Sequence, residues 1–160
     1  MRKTNLVIVA HPDDEILGFG ATGSALISKG EIVQPLIICG EVAHRKYRPN
    51  LSNLKTDIIN ANKFLGFSAP IILNYPNLEL NTIPTVNLVK DIEKVILNFK
   101  PNRIFTHHHN DLNEDHFFVF KATMAAVKYF QRNKIIESFD SIFLMEILSS
   151  LEWGLINNNL

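Results

Sequence analysis

Apolar residues in this chain fall into short unbroken runs that alternate with longer stretches of helical spacing. Leu6 to Ala10, opened by Asn5, is such a run: long enough for a buried strand and too short for a helix. Asp14 to Lys29 sets Ile16, Leu17, Ala21, Ala25 and Leu26 near one side, which predicts a helix that Gly30 stops at its C-cap. Ile32 to Cys39 reads as a second strand, in which Pro35 predicts an edge position or an early bend. The polar stretch Glu41 to Asn53 then predicts a loop over the carboxyl edge of a sheet. Leu54 to Leu65 predicts a helix ended by Gly66, and Pro70 to Tyr75 a third strand, followed by a connection from Pro76 to Pro84. Val86, Val89, Ile92, Val95 and Ile96 give Thr85 to Phe99 helical spacing, and Pro101 and Asn102 break it before a fourth strand, Arg103 to Thr106. A loop from His107 to Asn113, an amphipathic helix from Asp115 to Phe130 and a strand-like Phe139 to Leu148 close the pattern. Strand–helix units of this length predict a Rossmann-like α/β fold: a doubly wound, mostly parallel sheet with helices on both faces.

The length of 160 residues suits one domain, and no internal repeat or interdomain linker divides it. Sixteen basic residues balance sixteen acidic ones, so no overall field draws the chain toward nucleic acid or a membrane surface. The basic run Arg45-Lys46-Tyr47-Arg48 is too short to alter that. The single Cys39 has no partner for an internal disulfide and falls in an apolar strand, a common place for a buried thiol. The first apolar run is shorter than a signal-peptide core, and no stretch is apolar for long enough to span a bilayer. A cytoplasmic protein with no membrane insertion is the expectation.

The chemistry sits where strands meet helices. Val9-Ala10-His11-Pro12-Asp13-Asp14-Glu15 places an imidazole and three carboxylates directly after the first strand. A helix N-cap needs one acid there, not three and a histidine. A His and an Asp three positions apart can turn toward one centre, leaving Asp13 for proton chemistry. Five of the six histidines lie in two places, His11 and the stretch Thr106-His107-His108-His109-Asn110-Asp111-Leu112-Asn113-Glu114-Asp115-His116. That second stretch also follows a strand and enters a helix. Open α/β sheets bring such strand ends side by side, so His11, Asp14 and His116 would form a set of two histidines and a carboxylate, suited to zinc with a position left for water. Read singly, His107 to His109 are loop residues and His116 a helix-start residue; the two clusters together point to a site. Gly18-Phe19-Gly20-Ala21-Thr22-Gly23 matches a dinucleotide-binding pattern, and Glu41 stands at a tolerable distance for a ribose contact. That pattern needs its first glycine in the turn right after the strand. Here His11 to Leu17 intervenes, so the glycines fall inside the predicted helix and serve close packing.

These residues carry a resemblance. The Ala-His-Pro-Asp-Asp-Glu stretch at 10–15 and the Asp-Leu-Asn-Glu-Asp-His stretch at 111–116 look like the LmbE-like (PIG-L) family of zinc-dependent de-N-acetylases. That family includes the deacetylase of glycosylphosphatidylinositol synthesis and the bacterial deacetylases of mycothiol and bacillithiol synthesis. Similarity extends to Leu73-Asn74-Tyr75-Pro76, Thr82-Ile83-Pro84, Glu146 to Ser150 and Glu152-Trp153. The resemblance implies removal of acetyl from an N-acetylated amino sugar or its conjugate, with zinc on His11, Asp14 and His116 and with Asp13 as general base. Elementary chemistry supports the same division: zinc activates water and polarises the amide carbonyl, and a carboxylate beside that water moves the proton. Glu15 is expected to cap or brace the first helix, or to hold a loop. Asp115 is expected to orient a neighbouring histidine or to favour the helix dipole. Asn113 stands where several family members have a histidine; it can donate to an oxyanion but cannot shuttle a proton. Asp13 would then carry more of the acid work, with His107 or His108 nearby. Arg45, Arg48 and Asn77 are the candidate substrate contacts, although Asn77-Leu78-Glu79-Leu80 departs from the family's pattern there. Family members usually continue well past Ser150, whereas this sequence stops at Leu160, so the C-terminal part that helps enclose substrate is expected to be missing. Apolar surface left uncovered by it would favour a homo-oligomer. A metal-binding module of the same fold without catalysis, or a hydrolase of another amide or a carbamoyl group, would share all these residues.

Overall fold

The computed structural model describes residues 2–42, 50–133, 139–148 and 150. Strands β1 (Thr4–Val9), β2 (Ile32–Ile37), β3 (Ile71–Ile72), β4 (Arg103–His107) and β5 (Ser141–Met145) form one sheet in the order β3-β2-β1-β4-β5. Every pairing is parallel, as in Leu6 opposite Gln34 and Ile104. The helices are α1 (Asp14–Leu17), α2 (Gly20–Ser28), α3 (Leu51–Phe64), α4 (Thr85–Phe99) and α5 (Glu114–Asn133), with a 3-10 turn at Leu80–Thr82.

The alternation of β1 builds two cores. Leu6, Ile8 and Ala10 pack with Ile92 and Ile96 of α4 and with Val119, Ala122 and Ala126 of α5. Val7 and Val9 face the other way, toward Phe19, Leu26 of α2 and Ile58 of α3. Both faces of the sheet are therefore covered, and the fold is an α/β, doubly wound one. The chain leaves β1 toward β2 and β3, then returns to β4 on the other flank of β1. That reversal opens a crevice beyond the carboxyl ends of β1 and β4, where such sheets bind ligands.

Several elements differ from their expected extents, β5 among them at Ser141–Met145, and three of the differences bear on packing. The helix expected over 14–29 is broken at Gly18 and Phe19 into α1 and α2. Phe19 turns into the core between Phe105 (4.5 Å) and Phe67 (6.2 Å), while a Cβ on Gly18 would lie 2.5 Å from Ile147 Cδ1. Helical spacing alone does not register an aromatic residue pulled off the helix axis by its own burial. Gly23, inside α2, lies against the Phe67 ring, which a Cβ there would strike. α3 starts three residues early because Asn50 caps it, its side chain accepting from the Ser52 N–H at 2.9 Å. β3 shrinks to two residues. The Val33 and Ile37 carbonyls both accept from the β3 side, so Pro35 turns its missing donor toward a level that β3 does not reach.

Candidate active site

His11 and His116 come from opposite ends of the chain and meet in the crevice. β1 delivers His11, and α5, entered from the loop after β4, delivers His116 in its first turn. His11 Nδ1 lies 3.1 Å from His116 Nε2. Asp14 Oδ2 completes a triangle, 3.5 Å from the former and 3.3 Å from the latter. The Asp14 carboxylate is steered there by the His11 backbone N–H, which donates to it at 2.9 Å. All three residues are buried. A tetrahedral zinc with donors at about 2.0–2.1 Å separates neighbouring donors by about 3.3–3.4 Å. The triangle has that size, and two imidazoles with a carboxylate suit zinc chemically, so the residues present fit the ion.

Each imidazole is held from behind by a second carboxylate. His11 Nε2 lies 2.9 Å from Asp115 Oδ2. Asp115 in turn accepts from the backbone N–H groups of Leu78 at 2.5 Å and Leu80 at 3.3 Å. His116 Nδ1 lies 2.9 Å from Asp111 Oδ2, which also accepts from Ser150 Oγ at 2.8 Å. Such partners fix which nitrogen faces inward and raise its basicity. Two further groups of ligand-type atoms, His11 with Cys39 and Asp115 and His107 with Asp111 and His116, overlap this arrangement.

The electrostatics follow from burial among carboxylates. Burial alone would raise the Asp14 pKa, but hydrogen bonds from His11 and His116 hold it well below the usual carboxylate range. Burial opposes charge on His116, yet Asp111 and Asp14 outweigh it and raise its pKa to about 9. His11 is raised too, burial again being overcome by Asp115 and Asp14. His107 goes the other way, to about 3, through complete burial and the proximity of His116. Its ring stacks on His116 with centroids 3.9 Å apart. Its Nε2 accepts the Ala10 N–H at 2.8 Å, which leaves the proton on Nδ1.

Asp13 lies at the start of α1, exposed, with φ 130°. A non-glycine residue in that region is strained, and such strain clusters at working sites. The neighbouring Glu15 is buried, accepting from the Asp13 N–H at 3.2 Å and from Asn62 Nδ2 at 2.8 Å. It thus ties α1 to α3, and burial raises its pKa.

The structure brings together His11, Asp14, His116, Asp115 and, beside them, Asp13. Asn113 is adjacent but occupied: its Oδ1 accepts the Asp115 N–H at 3.0 Å, leaving its amide Nδ2 as a donor. His108 is half-buried, accepts the Asn110 N–H and stacks on His109 rather than on the ligand cluster. Asn77 is buried in the loop that clamps Asp115, its N–H donating to Glu41 O. Arg45 and Arg48 lie outside the described residues. The sequence reading missed Asp111, Ser150 and the Glu15–Asn62 tie. The signal for Asp111 was present: a ligand imidazole needs a partner on its second nitrogen, and Asp111 stands five residues before His116.

The chain matches known proteins over most of its length. Residues 6–127 match the family model described as GlcNAc-PI de-N-acetylase, PIG-L. The uncharacterized deacetylase YaiS of Escherichia coli strain K12 is 30% identical over 136 residues, 79% of this chain and 69% of its own length. Two solved structures share the fold at a TM-score of 0.76. They are the conserved protein TT1542 of Thermus thermophilus (22% identity) and the N,N'-diacetylchitobiose deacetylase of Pyrococcus horikoshii (20% identity). They cover 91% and 96% of this chain, which spans only 66% and 67% of theirs. No helix among the described residues is long and apolar enough to cross a membrane. With the family model matched over most of its length and a relative at this identity, the chain belongs to the PIG-L (LmbE-like) family of de-N-acetylases.

Proposed function

We propose that this chain hydrolyses the acetamide of an N-acetylated amino sugar or its conjugate, with zinc held by His11, Asp14 and His116. The observation that carries the reading is the donor triangle of zinc-sized edges, each imidazole backed by its own carboxylate. Zinc bound there would lower the pKa of its water toward ~7 and polarise the acyl carbonyl. Asp14, ionised throughout the neutral range, stays an anionic ligand and does not compete for the proton in transit. Asp13, exposed at the mouth, takes the proton of the attacking water and passes it to the nitrogen as the C–N bond breaks, giving acetate and a free amine. Asn113 has a donor for the developing oxyanion but no proton to shuttle, so both transfers fall to Asp13. The amino-sugar class is supported by family membership and by the likeness to a chitobiose deacetylase.

The deciding experiment measures zinc content and acetate release on the same preparation of the full chain, with N-acetylglucosamine and N,N'-diacetylchitobiose as substrates and His116→Ala as control. About one zinc per chain, lost in the control together with acetate release, is the expected result. Bound zinc without acetate release from either sugar would overturn the assignment and favour a metal-binding module.

A further inference from the structure

A cavity of about 310 Å³, open to solvent, lies between α1 and α3 and starts at Asp13 itself. Pro12, Ile16, Leu54, Ile58 and Ala61 make its walls apolar, and the volume falls within the range of small-molecule pockets. We propose that it receives the acyl side of the scissile amide, so that the chain deacylates N-alkanoyl amino sugars with chains longer than acetyl. This inference rests on the deacetylase reading of the same site.

Three observations lead there. Asp13 borders the cavity, and in the proposed chemistry only a water separates Asp13 from the carbonyl carbon. The group nearest the cavity is therefore a direct substituent of that carbon, either the acyl chain or the nitrogen-linked sugar. A sugar would strip its hydroxyls of water against apolar walls without replacing those hydrogen bonds; a hydrocarbon chain loses nothing. An aglycone is a worse fit again, because the nitrogen and two ring carbons separate it from the carbonyl. Asp57 also lines the cavity and is exposed. With Asp13 it sets negative charge at the mouth, which admits a neutral amide and repels the carboxylate product.

The test uses the zinc-loaded full chain and a series of N-acetyl-, N-butanoyl-, N-hexanoyl- and N-octanoylglucosamine, following release of free amine. Each methylene buried in the cavity should raise kcat/KM by about fourfold. Ala61→Phe fills the cavity from an exposed helix position, and should bring the octanoyl-to-acetyl ratio down toward one. Calorimetric binding of N-octanoylglucosamine to Asp13→Asn gives a readout that needs no turnover. Acetyl release with a flat acyl series and no tighter octanoyl binding would overturn the cavity assignment and leave the deacetylase reading standing. Tight octanoyl binding that Ala61→Phe removes, without release from any substrate, would overturn the deacetylase reading and the deacylation inferred from it, leaving only an alkyl-binding cavity. A gain for the octyl glycoside of N-acetylglucosamine in place of the octanoyl amide would assign the cavity to the aglycone and overturn the inference.

Discussion

Asp111 Oδ2 sits 2.9 Å from His116 Nδ1, on the side of the ring opposite Asp14. Asp111 is therefore a positioning residue: it fixes which nitrogen of His116 faces the crevice and holds the ring at the angle that closes the donor triangle. Asp111→Asn keeps the shape but removes the charge. Zinc affinity, measured by chelator competition, should fall about 10- to 100-fold. Ser150→Ala removes one of the three hydrogen bonds to that carboxylate and should have a smaller effect in the same direction.

Asp13→Ala and Asp13→Asn should abolish acetate release, by roughly 10²- to 10⁴-fold or more, while leaving zinc content at the wild-type level. Loss of metal in either variant would make Asp13 a ligand and overturn its role as base.

The metal-free chain should be most stable near pH 6.5. His116 has a folded pKa raised to about 9, so its contribution is full below its unfolded value of about 6.5 and is lost as pH rises toward 9. That loss is on the order of 3 kcal/mol. His107 has the opposite sign: held neutral with a pKa of about 3, it favours the unfolded chain as pH falls below about 6.5. The depressed pKa values of Asp14, Asp111 and Asp115 act in the same direction as His107, at lower pH. Thermal melts with chelator from pH 4 to 10 should trace a dome. A melting temperature flat between pH 6.5 and 9 would refute the ion-paired state of His116.

Glu15→Ala should destabilise the fold by about 1–3 kcal/mol, because it strands the buried Nδ2 of Asn62 without one of its acceptors. Denaturant unfolding measures this. The double variant with Asn62→Leu should recover part of the loss.

The sheet and the meeting of His11 with His116 were readable in the sequence for one reason. The apolar runs are short and sharply bounded, and each chemical cluster follows such a boundary, so locating β1 and β4 located His11 and His116. What escaped depended on contacts distant in sequence. The break after α1 comes from Phe19 meeting Phe105, 86 positions away, and from Ile147 lying against Gly18. Ser150 became visible only once the segment after β5 was laid beside the start of α5. The partner of Asp115 was equally hidden: nothing local tells that acid to choose His11 over the helix dipole. Nor does spacing show that β3 would be too short to reach Pro35.

The backbone at Asp13 has one more consequence. Glycine would sit at φ 130° without the ~1–3 kcal/mol of strain that a side chain incurs there, and its own entropic penalty of roughly 0.5–1 kcal/mol is smaller. Asp13→Gly should thus melt higher than the wild type and turn over nothing. At this position durability and chemistry pull apart, and a chain relieved of its chemical duty would have a single substitution by which to become sturdier.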